Sequence, residues 1–255
     1  MCMSLGCTSV GAVGCRIIDS PRERRLAMLT APLMPCNGKF PLLLACAAML
    51  SADGAPLVMT GAVVLAVIAS LALSKLLSLT VLRGEPSAFV LELPAYRRPQ
   101  IGRVILRSLI DRTLHVLGRA VIAAAPAGLV IWLLSNLTAS GRPLMAIAAG
   151  WLDPIGVMLG LDGVILLAFF LGFPANELVL PLIAGGYAAM GIAPEFDALT
   201  AMNLMLFGLF HFPCAATVLT IRREAGWKTA IAAMLISTAL GVIVCLITRA
   251  IFFLI

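Results

Sequence analysis

Two cysteines, Cys36 and Cys214, each directly follow a proline inside a long run of apolar residues. A proline in a helix removes one backbone N–H donor and leaves a carbonyl without its usual partner. Within a bilayer, such a freed carbonyl must be satisfied by protein, by water or by an ion. A thiol at the same position adds a soft metal ligand. The two Pro-Cys pairs therefore predict interrupted helices whose breaks can bind a cation.

Glycine and proline mark four breaks in the apolar pattern, at residues 6–14, 32–41, 172–181 and 210–215. Glu177 lies in the third break, where a carboxylate at membrane depth is costly and points to a functional site. The alternative is that Glu177 complements the dipole of the helix that follows it. His211 precedes Cys214 by one helical turn, so both side chains could face one cavity.

The candidate ligands at these breaks are thiols, an imidazole and a carboxylate: Cys7, Cys36, Glu177, His211 and Cys214. Together with freed carbonyls they suit a first-row divalent metal better than Na⁺ or a sugar, and they leave Fe(II), Mn(II), Zn(II) and Cu(I) open. Lys39 is expected either to extend toward the membrane surface or to pair with Glu177. Asp162 is expected to cap the helix that follows it.

Composition places these breaks in a membrane. Of the 255 residues, 62% are hydrophobic and only 12% are charged, whereas about a quarter of a soluble domain is charged. Continuous apolar runs favour helices over a barrel. We predict an all-α polytopic membrane protein with a partial segment at residues 1–14 and about seven spans. The spans are residues 26–50, 57–82, 117–137, 152–172, 175–190, 198–221 and 229–255.

Basic residues are concentrated in alternate connections: residues 15–25, the long linker 83–116 and residues 222–228. The positive-inside rule places all three in the cytoplasm. Seven spans satisfy this arrangement. The sequence therefore divides into a first half at residues 1–82, a cytoplasmic interfacial linker at 83–116 and a second half at 117–255.

This topology assigns each broken segment an orientation in the membrane. Each half holds a broken segment followed by a Pro-Cys segment, and the two halves run in opposite orientations through the membrane. Such pairs are typical of an inverted repeat, in which the broken helices meet near the bilayer midplane and form the transport site.

Several other functions are disfavoured by what the sequence lacks. It has no G-x-x-x-x-G-K-[ST], C-x-x-C, H-E-x-x-H or G-x-S-x-G pattern, so no nucleotide-binding loop or soluble-type enzyme site is expected. Its arginines flank spans and form no single patch, which argues against nucleic-acid binding. No secretory signal is evident, and Met1 falls inside an apolar stretch, which suggests a fragment or one part of a split system.

Four segments resemble the ferrous iron transport protein B family, in the family's order: "GCTSVGAVGCRIIDSPRERRLAMLTAPLMPCNGKFPLL", "LELPAYRRP", "GFPANELVLPLI" and "LFHFPCAATVLTIRREAGWK". The first and last resemble the two gate segments. By this resemblance, Cys7, Cys36 and Cys214 correspond to the family's gate cysteines, and Glu177 corresponds to its gate glutamate. One departure is Asn176, which stands where the family's Ala-Lys-Glu element has lysine. The first gate also departs, since "CTSVGAVGC" replaces the Cys-x-x-Pro-Ala of many members.

The resemblance implies a multi-pass permease of the cytoplasmic (inner) membrane that is surrounded by lipid and transports Fe²⁺ as its substrate, with no permanently bound cofactor. The family's N-terminal GTPase domain has no counterpart here, so the resemblance implies a GTPase domain acting in trans. A small SH3-like partner and a homo-oligomer are further expectations. The alternatives are a gate-domain protein of another kind, such as a nucleoside-type transporter or a sporulation-type scaffold, or a degenerate fragment that does not transport.

Overall fold

The structure is a computed structural model that describes residues 2–82, 115–139, 142–191 and 196–254, together with positions 102, 106 and 110. Within that part, helices dominate, and one antiparallel pair of two-residue strands joins Thr138–Ala139 (β1) to Arg142–Pro143 (β2). The predicted all-α membrane class is confirmed. The interfacial linker predicted at residues 83–116 lies almost wholly outside the described residues.

The helices of the first half are short, except for the last. They are α1 (Cys2–Gly6), α2 (Thr8–Gly14), α3 (Pro21–Thr30), α4 (Phe40–Leu50) and α5 (Ala55–Leu79). The second half contains α6 (His115–Asn136), α7 (Leu144–Met158), α8 (Gly163–Leu171), α9 (Val179–Met190), α10 (Ala198–Phe210) and α11 (Ala215–Leu254). Single 3-10 turns lie at Cys15–Ile17, Ala31–Leu33 and Asn176–Leu178.

Among the described residues, two helical stretches are long and apolar enough to cross a bilayer: Ala55–Leu79 and Ala198–Leu254. A third span is obtained if the bent pair α7 and α8 is taken as one. The described residues therefore support fewer continuous spans than the predicted seven, because several predicted spans are divided by the breaks themselves. The predicted count of seven stays a prediction.

The predicted span at residues 152–172 is not one straight helix. The chain turns by 109° between α7 and α8, although no proline lies at the turn. Asp162 caps α8 by accepting a hydrogen bond from the Ile165 amide at 2.8 Å, which confirms the predicted cap. Asp153 accepts from the Gly163 amide at 3.0 Å. These two carboxylates satisfy amides that the start of a new helix leaves without partners.

The predicted spans at residues 26–50 and 175–190 are also interrupted. In the first, a 3-10 turn and an irregular segment separate α3 from α4. The second consists of the turn Asn176–Leu178 followed by the 12-residue α9, which is only about 18 Å long. A helix of that length cannot cross a hydrocarbon layer of about 30 Å by itself. These elements are half-helices, each too short to cross the membrane by itself.

Helix α11 contains 40 residues but is not a single rod. Gly226 has φ of +84° and ψ of 170°, which divides it into a short first part and a long second part. Only glycine adopts such backbone angles without strain. This division lies in the basic connection at residues 222–228, so the second part corresponds to the span predicted at residues 229–255.

The core lies where α4, α8 and α10 pack together, and its largest fully buried side chains include Leu43, Ile165, Phe169, Leu209 and Phe210. Phe169 and Phe207 meet edge to face with ring centroids 4.9 Å apart. Large apolar side chains on the outside of the bundle are strongly exposed, such as Leu57 at 81% and Trp151 at 83%. An exposed apolar exterior of this kind is suited to contact with lipid rather than with water.

The first and third basic connections meet at one end of the bundle, within the part of the chain that the structure describes. The Arg16 guanidinium donates two hydrogen bonds to the Glu224 carboxylate, at 2.7 and 2.5 Å, and joins the first connection to the third. Arg22 Nε donates to the carbonyl oxygen of Leu82, the residue directly before the long linker. The first and third basic segments therefore lie together, which is what a shared cytoplasmic side requires.

Candidate metal path at the chain breaks

The two breaks of each half are joined by backbone hydrogen bonds. In the first half, the Asn37 amide donates to the Gly6 carbonyl at 3.2 Å. In the second half, the Ala215 amide donates to the Phe173 carbonyl at 2.8 Å. These bonds satisfy backbone groups that the interrupted helices leave free. Each broken segment thus lies directly against the Pro-Cys segment of its own half.

The two halves also meet at their breaks. The Asn176 side-chain amide donates to Cys36 Sγ at 3.8 Å, although 140 residues separate them. The Glu177 carboxylate lies over the backbone of Gly38, because a Cβ placed on that glycine would be 2.6 Å from Glu177 Oε1. The second and third breaks are therefore in contact. The backbone hydrogen bonds within each half connect the first break to the second and the fourth break to the third.

Lys39 links the second break to the fourth. Its side chain is buried, with 2% exposure, and Nζ donates to the Leu209 carbonyl oxygen at 2.8 Å. Helix α10 ends at Phe210, and the residue four positions after Leu209 is Pro213, which has no N–H to donate. The lysine ammonium thus satisfies a carbonyl that the proline break leaves free.

This contact corrects the expectation for Lys39. The side chain does not extend to the surface, since it is enclosed by protein. It also forms no ion pair with Glu177, since its ammonium donates to the Leu209 carbonyl oxygen instead. The reason is geometric: the Leu209 carbonyl is the available acceptor inside the bundle, whereas Glu177 is exposed at its edge.

The three candidate thiols are arranged in order of increasing burial. Cys7 is exposed, Cys214 is partly buried and Cys36 is buried. Cys7 is the non-helical residue between α1 and α2, with φ of −152° and ψ of 121°. The Cys214 thiol interacts electrostatically with Cys36 and Cys7, and it lies 3.4 Å from the Thr217 hydroxyl. The structure therefore brings together the thiols that the sequence singles out.

His211 lies beside the thiols in sequence but is surrounded by aromatic rings. It is 1% exposed, its Nδ1 lies 2.8 Å from the Gly208 carbonyl oxygen, and its ring centroid is 4.8 Å from that of Phe169. Phe207 and Phe212 complete the enclosure. The imidazole is fixed at the end of α10, and its role as a ligand stays a prediction.

No group of three His, Cys, Asp or Glu side chains lies at metal-binding distance within the described residues. The predicted ligands therefore do not form a closed coordination shell in this conformation. Cys7 and Glu177 are exposed, whereas Cys36 and His211 are buried. An arrangement from exposed to buried donors suits a path along which a cation exchanges ligands better than a permanent metal site, which holds a complete ligand set.

The sequence alone does not indicate a role for Asn176. Its side chain is 6% exposed, its Nδ2 donates to Cys36, and its Oδ1 is buried without a hydrogen-bond partner. The one signal in the sequence is the departure from the Ala-Lys-Glu pattern, which marks the position without saying what the amide contacts.

The end of the bundle that holds the basic connections is closed by polar contacts between the halves. Ser9 on α2 and Thr220 on α11 have their hydroxyl oxygens 2.7 Å apart. The Arg16–Glu224 pair lies beyond them, and its hydrogen bond raises the pKa of Arg16 above its ordinary value. The guanidinium is therefore charged throughout the physiological pH range, and the pair holds α11 against the first half.

The fold and the meeting of four breaks define the class: a polytopic helical membrane protein with two broken-helix halves. Comparisons of the sequence agree with this class. Residues 59–111 match the family model described as ferrous iron transport protein B C terminus. Residues 117–228 match the gate model described as nucleoside recognition.

Relatives extend the match to nearly the whole chain. The Fe(2+) transporter FeoB of Methanocaldococcus jannaschii is 28% identical over 97% of this chain and 40% of its own length. The protein of the same name from Staphylococcus aureus strain MSSA476 is also 28% identical, over 97% of this chain and 38% of its own length. A Porphyromonas gingivalis protein, named as a fusion of Fe(2+) transport protein A with FeoB, is 26% identical over 95% of this chain.

The resemblance to the C-terminal permease part of the ferrous iron transport protein B family is thereby confirmed. The chain spans about two fifths of the length of the first two of these relatives. No solved structure shows a significant match.

Proposed function

We propose that this chain forms the membrane path of a ferrous iron transporter in the cytoplasmic membrane. The observation that carries the proposal is the meeting of four helix breaks, where Cys214 interacts electrostatically with Cys36 and Cys7. Thiolate ligands favour transition metals over Na⁺, K⁺ or sugars. The relatives named as Fe(2+) transporters support iron as the substrate among the metals that the chemistry leaves open.

In this proposal, Fe²⁺ first meets the exposed donors Cys7 and Glu177 and then passes to the buried Cys36 and Cys214, with His211 as a further ligand. Each transfer exchanges one or two ligands, so the ion never occupies a complete and tightly binding shell. The Lys39 ammonium repels a cation that lies beside it, and the negative charge of the thiolates offsets this repulsion. Deprotonated thiols are therefore required for iron to pass.

A nucleoside-type transporter is the second candidate, because residues 117–228 match a gate model described as nucleoside recognition. The thiols favour the metal over the nucleoside, since binding of a nucleobase calls for hydrogen-bonding amides and aromatic surfaces. The phenylalanines near the breaks pack on His211 and on one another.

The test is uptake of radioactive Fe²⁺ under reducing conditions into proteoliposomes that contain the chain with a separately expressed GTPase domain of the family. Wild-type protein is compared with Cys36→Ser and Cys214→Ser. Both variants are expected to lose most of the uptake. Normal uptake by both would overturn the thiol path, and uptake of uridine but not Fe²⁺ would favour the second candidate.

Cys245→Ser is the matched control. Cys245 is buried in α11 and donates to the Asn203 carbonyl oxygen at 3.6 Å, a bond that a serine hydroxyl can also make. Its variant is expected to transport like wild type. Omitting the GTPase domain tests the proposed partner, since the proposal requires uptake to fall when that domain is absent.

A further inference from the structure

Asn176 is the one buried side chain at the breaks with an unused polar atom. Its Oδ1 has no hydrogen-bond partner, and the residue is 6% exposed. Buried polar atoms are almost always paired, so an orphaned oxygen in a native structure calls for an explanation. An amide oxygen has two lone pairs and is a good ligand for a divalent cation.

The position of this amide is fixed by its surroundings. The turn Asn176–Leu178 follows the extended residue Ala175, and the Leu178 amide donates to the Ala175 carbonyl at 3.1 Å. Phe173, three residues before Asn176, is bonded through its carbonyl to the Ala215 amide in the fourth break. The side chain therefore projects from a segment that is anchored on both sides.

The amide head lies directly beside a candidate ligand, because Nδ2 donates to Cys36 Sγ at 3.8 Å. A rotation about the Cβ–Cγ bond exchanges the positions of the amide nitrogen and oxygen. That rotation turns the unpartnered oxygen toward the ion that Cys36 binds. Cys36 and Asn176 thus offer one soft and one hard donor from opposite halves of the molecule.

The charge balance also favours a direct ligand at this position. The buried Lys39 ammonium already interacts with Cys36 and Cys214. A lysine at position 176, as in the Ala-Lys-Glu pattern, would add a second cation beside the same thiol. The neutral amide avoids this repulsion and supplies an oxygen donor instead.

We propose that Asn176 Oδ1 is a ligand of the transported divalent cation, acting together with Cys36 Sγ across the interface between the two halves. The inference rests on the proposed function, since Cys36 must bind the cation for Asn176 to share it. It assigns to this chain a mixed sulfur and oxygen site that accepts metals of intermediate softness, such as Fe²⁺.

The test is equilibrium binding of Co²⁺, a spectroscopic substitute for Fe²⁺, to the full chain in lipid nanodiscs under reducing conditions. Absorption from charge transfer between thiolate and cobalt reports the Cys36 contact, and the titration gives the affinity. Asn176→Ala is expected to keep the absorption band and to weaken Co²⁺ binding by about tenfold or more. Asn176→Asp is expected to bind Co²⁺ more tightly than wild type, because it places a carboxylate oxygen in the same location.

Asn136→Ala is the matched control, since Asn136 is an exposed amide at the end of α6 that donates to the Trp132 carbonyl. It is expected to bind Co²⁺ like wild type. Gel filtration and thermal unfolding verify that each variant is folded. If Asn176→Ala does not fold, the test rests on Asn176→Asp. Co²⁺ binding by Asn176→Asp that is equal to or weaker than that of wild type overturns the inference.

The two levels of the proposal fail in different ways. If Asn176→Ala binds Co²⁺ with wild-type affinity, Asn176 is not a ligand. If Cys36→Ser abolishes the charge-transfer band in the same experiment, the thiol path remains intact. Absence of any charge-transfer band in the wild-type protein overturns the thiol path, and the role of Asn176 falls with it.

Discussion

At the scale of single residues, the breaks are stabilised by side chains from the opposite half. Lys39 satisfies the carbonyl that Pro213 leaves free, and Asn176 lies against Cys36. A proline break in a membrane helix therefore does more than bend the chain. It creates an acceptor inside the bundle that a residue far away in sequence must satisfy.

The first prediction concerns Lys39. Lys39→Met keeps an unbranched side chain, one atom shorter, but leaves the Leu209 carbonyl unsatisfied, which costs about 1–3 kcal/mol in the free energy of unfolding. Thermal unfolding in detergent is expected to show a lower melting temperature. Lys75→Met, at an exposed position of α5, is the control and is expected to melt like wild type. Equal melting of both variants would contradict the role of the Lys39 contact.

The second prediction concerns Gly38, whose missing side chain leaves room for the Glu177 carboxylate. In Gly38→Ala, the added methyl would lie 2.6 Å from Glu177 Oε1 and must displace it. Because Glu177 is long and flexible, we expect stability to change by less than about 1 kcal/mol while Fe²⁺ uptake falls. Gly61→Ala, where the added methyl meets nothing within 4 Å, is the control. Unimpaired uptake by Gly38→Ala would remove Glu177 from the path.

At the scale of the elements, the sequence predicts where helices are interrupted but not every place where they turn. Glycine and proline predict the breaks near Cys7, Cys36 and Cys214, since these two residue types alter the backbone locally. The 109° turn between α7 and α8 carries no proline. It depends on the Leu159 carbonyl, which accepts from Asn203 Nδ2 of α10 at 2.8 Å. The cap residue Asp162 and Gly160, whose φ is +69°, are local signals of this turn, but the contact with Asn203, 44 residues away, has none.

The third prediction tests that dependence. Asn203 is fully buried, and its Oδ1 also accepts from the Thr248 hydroxyl of α11. Asn203→Ala leaves both partners without this amide and is expected to lower the free energy of unfolding by about 1–3 kcal/mol. Denaturant or thermal unfolding measures the change. The exposed amide variant Asn136→Ala serves as its control, and an unchanged stability for Asn203→Ala would show that the turn forms without it.

The fourth prediction concerns the contact between the Cys15–Ile17 turn and α11. Arg16→Glu and Glu224→Arg each place two like charges together, so each is expected to reduce Fe²⁺ uptake by loosening this end of the bundle. The double variant restores opposite charges and is expected to recover most of the uptake. Arg16 is largely exposed, so the effect is expected in transport rather than in stability. A double variant no better than the single ones would rule out the pair as a link.

At the scale of the whole molecule, charge and hydropathy predict a great deal. The all-α membrane class and the contact between the first and third basic connections follow from composition and from the positions of the arginines, because the bilayer restricts which segments can cross it. The partners of Lys39 and Asn176 could not be predicted, since they depend on how two distant halves pack. The same holds for half-helices such as α9, whose apolar sequence resembles that of a short span.

The fifth prediction tests the orientation in the membrane. Asp19→Cys places a thiol in the first basic connection, and Asp53→Cys places one in the short loop before α5. Both positions are exposed. In a background with Cys2→Ser and Cys7→Ser, a membrane-impermeant maleimide added outside cells is expected to label only position 53. Labelling of both positions from outside would contradict the predicted topology.

In the proposed path, thiols from the helix breaks bind the iron that crosses the membrane. X-ray absorption at the iron edge of the Fe²⁺-loaded chain detects such ligands, because scattering by sulfur differs from scattering by oxygen and nitrogen. We expect sulfur neighbours of iron in the wild-type protein and their loss in the variant that combines Cys36→Ser with Cys214→Ser. Iron surrounded only by oxygen and nitrogen in a wild-type protein that transports Fe²⁺ would rule out the thiol path.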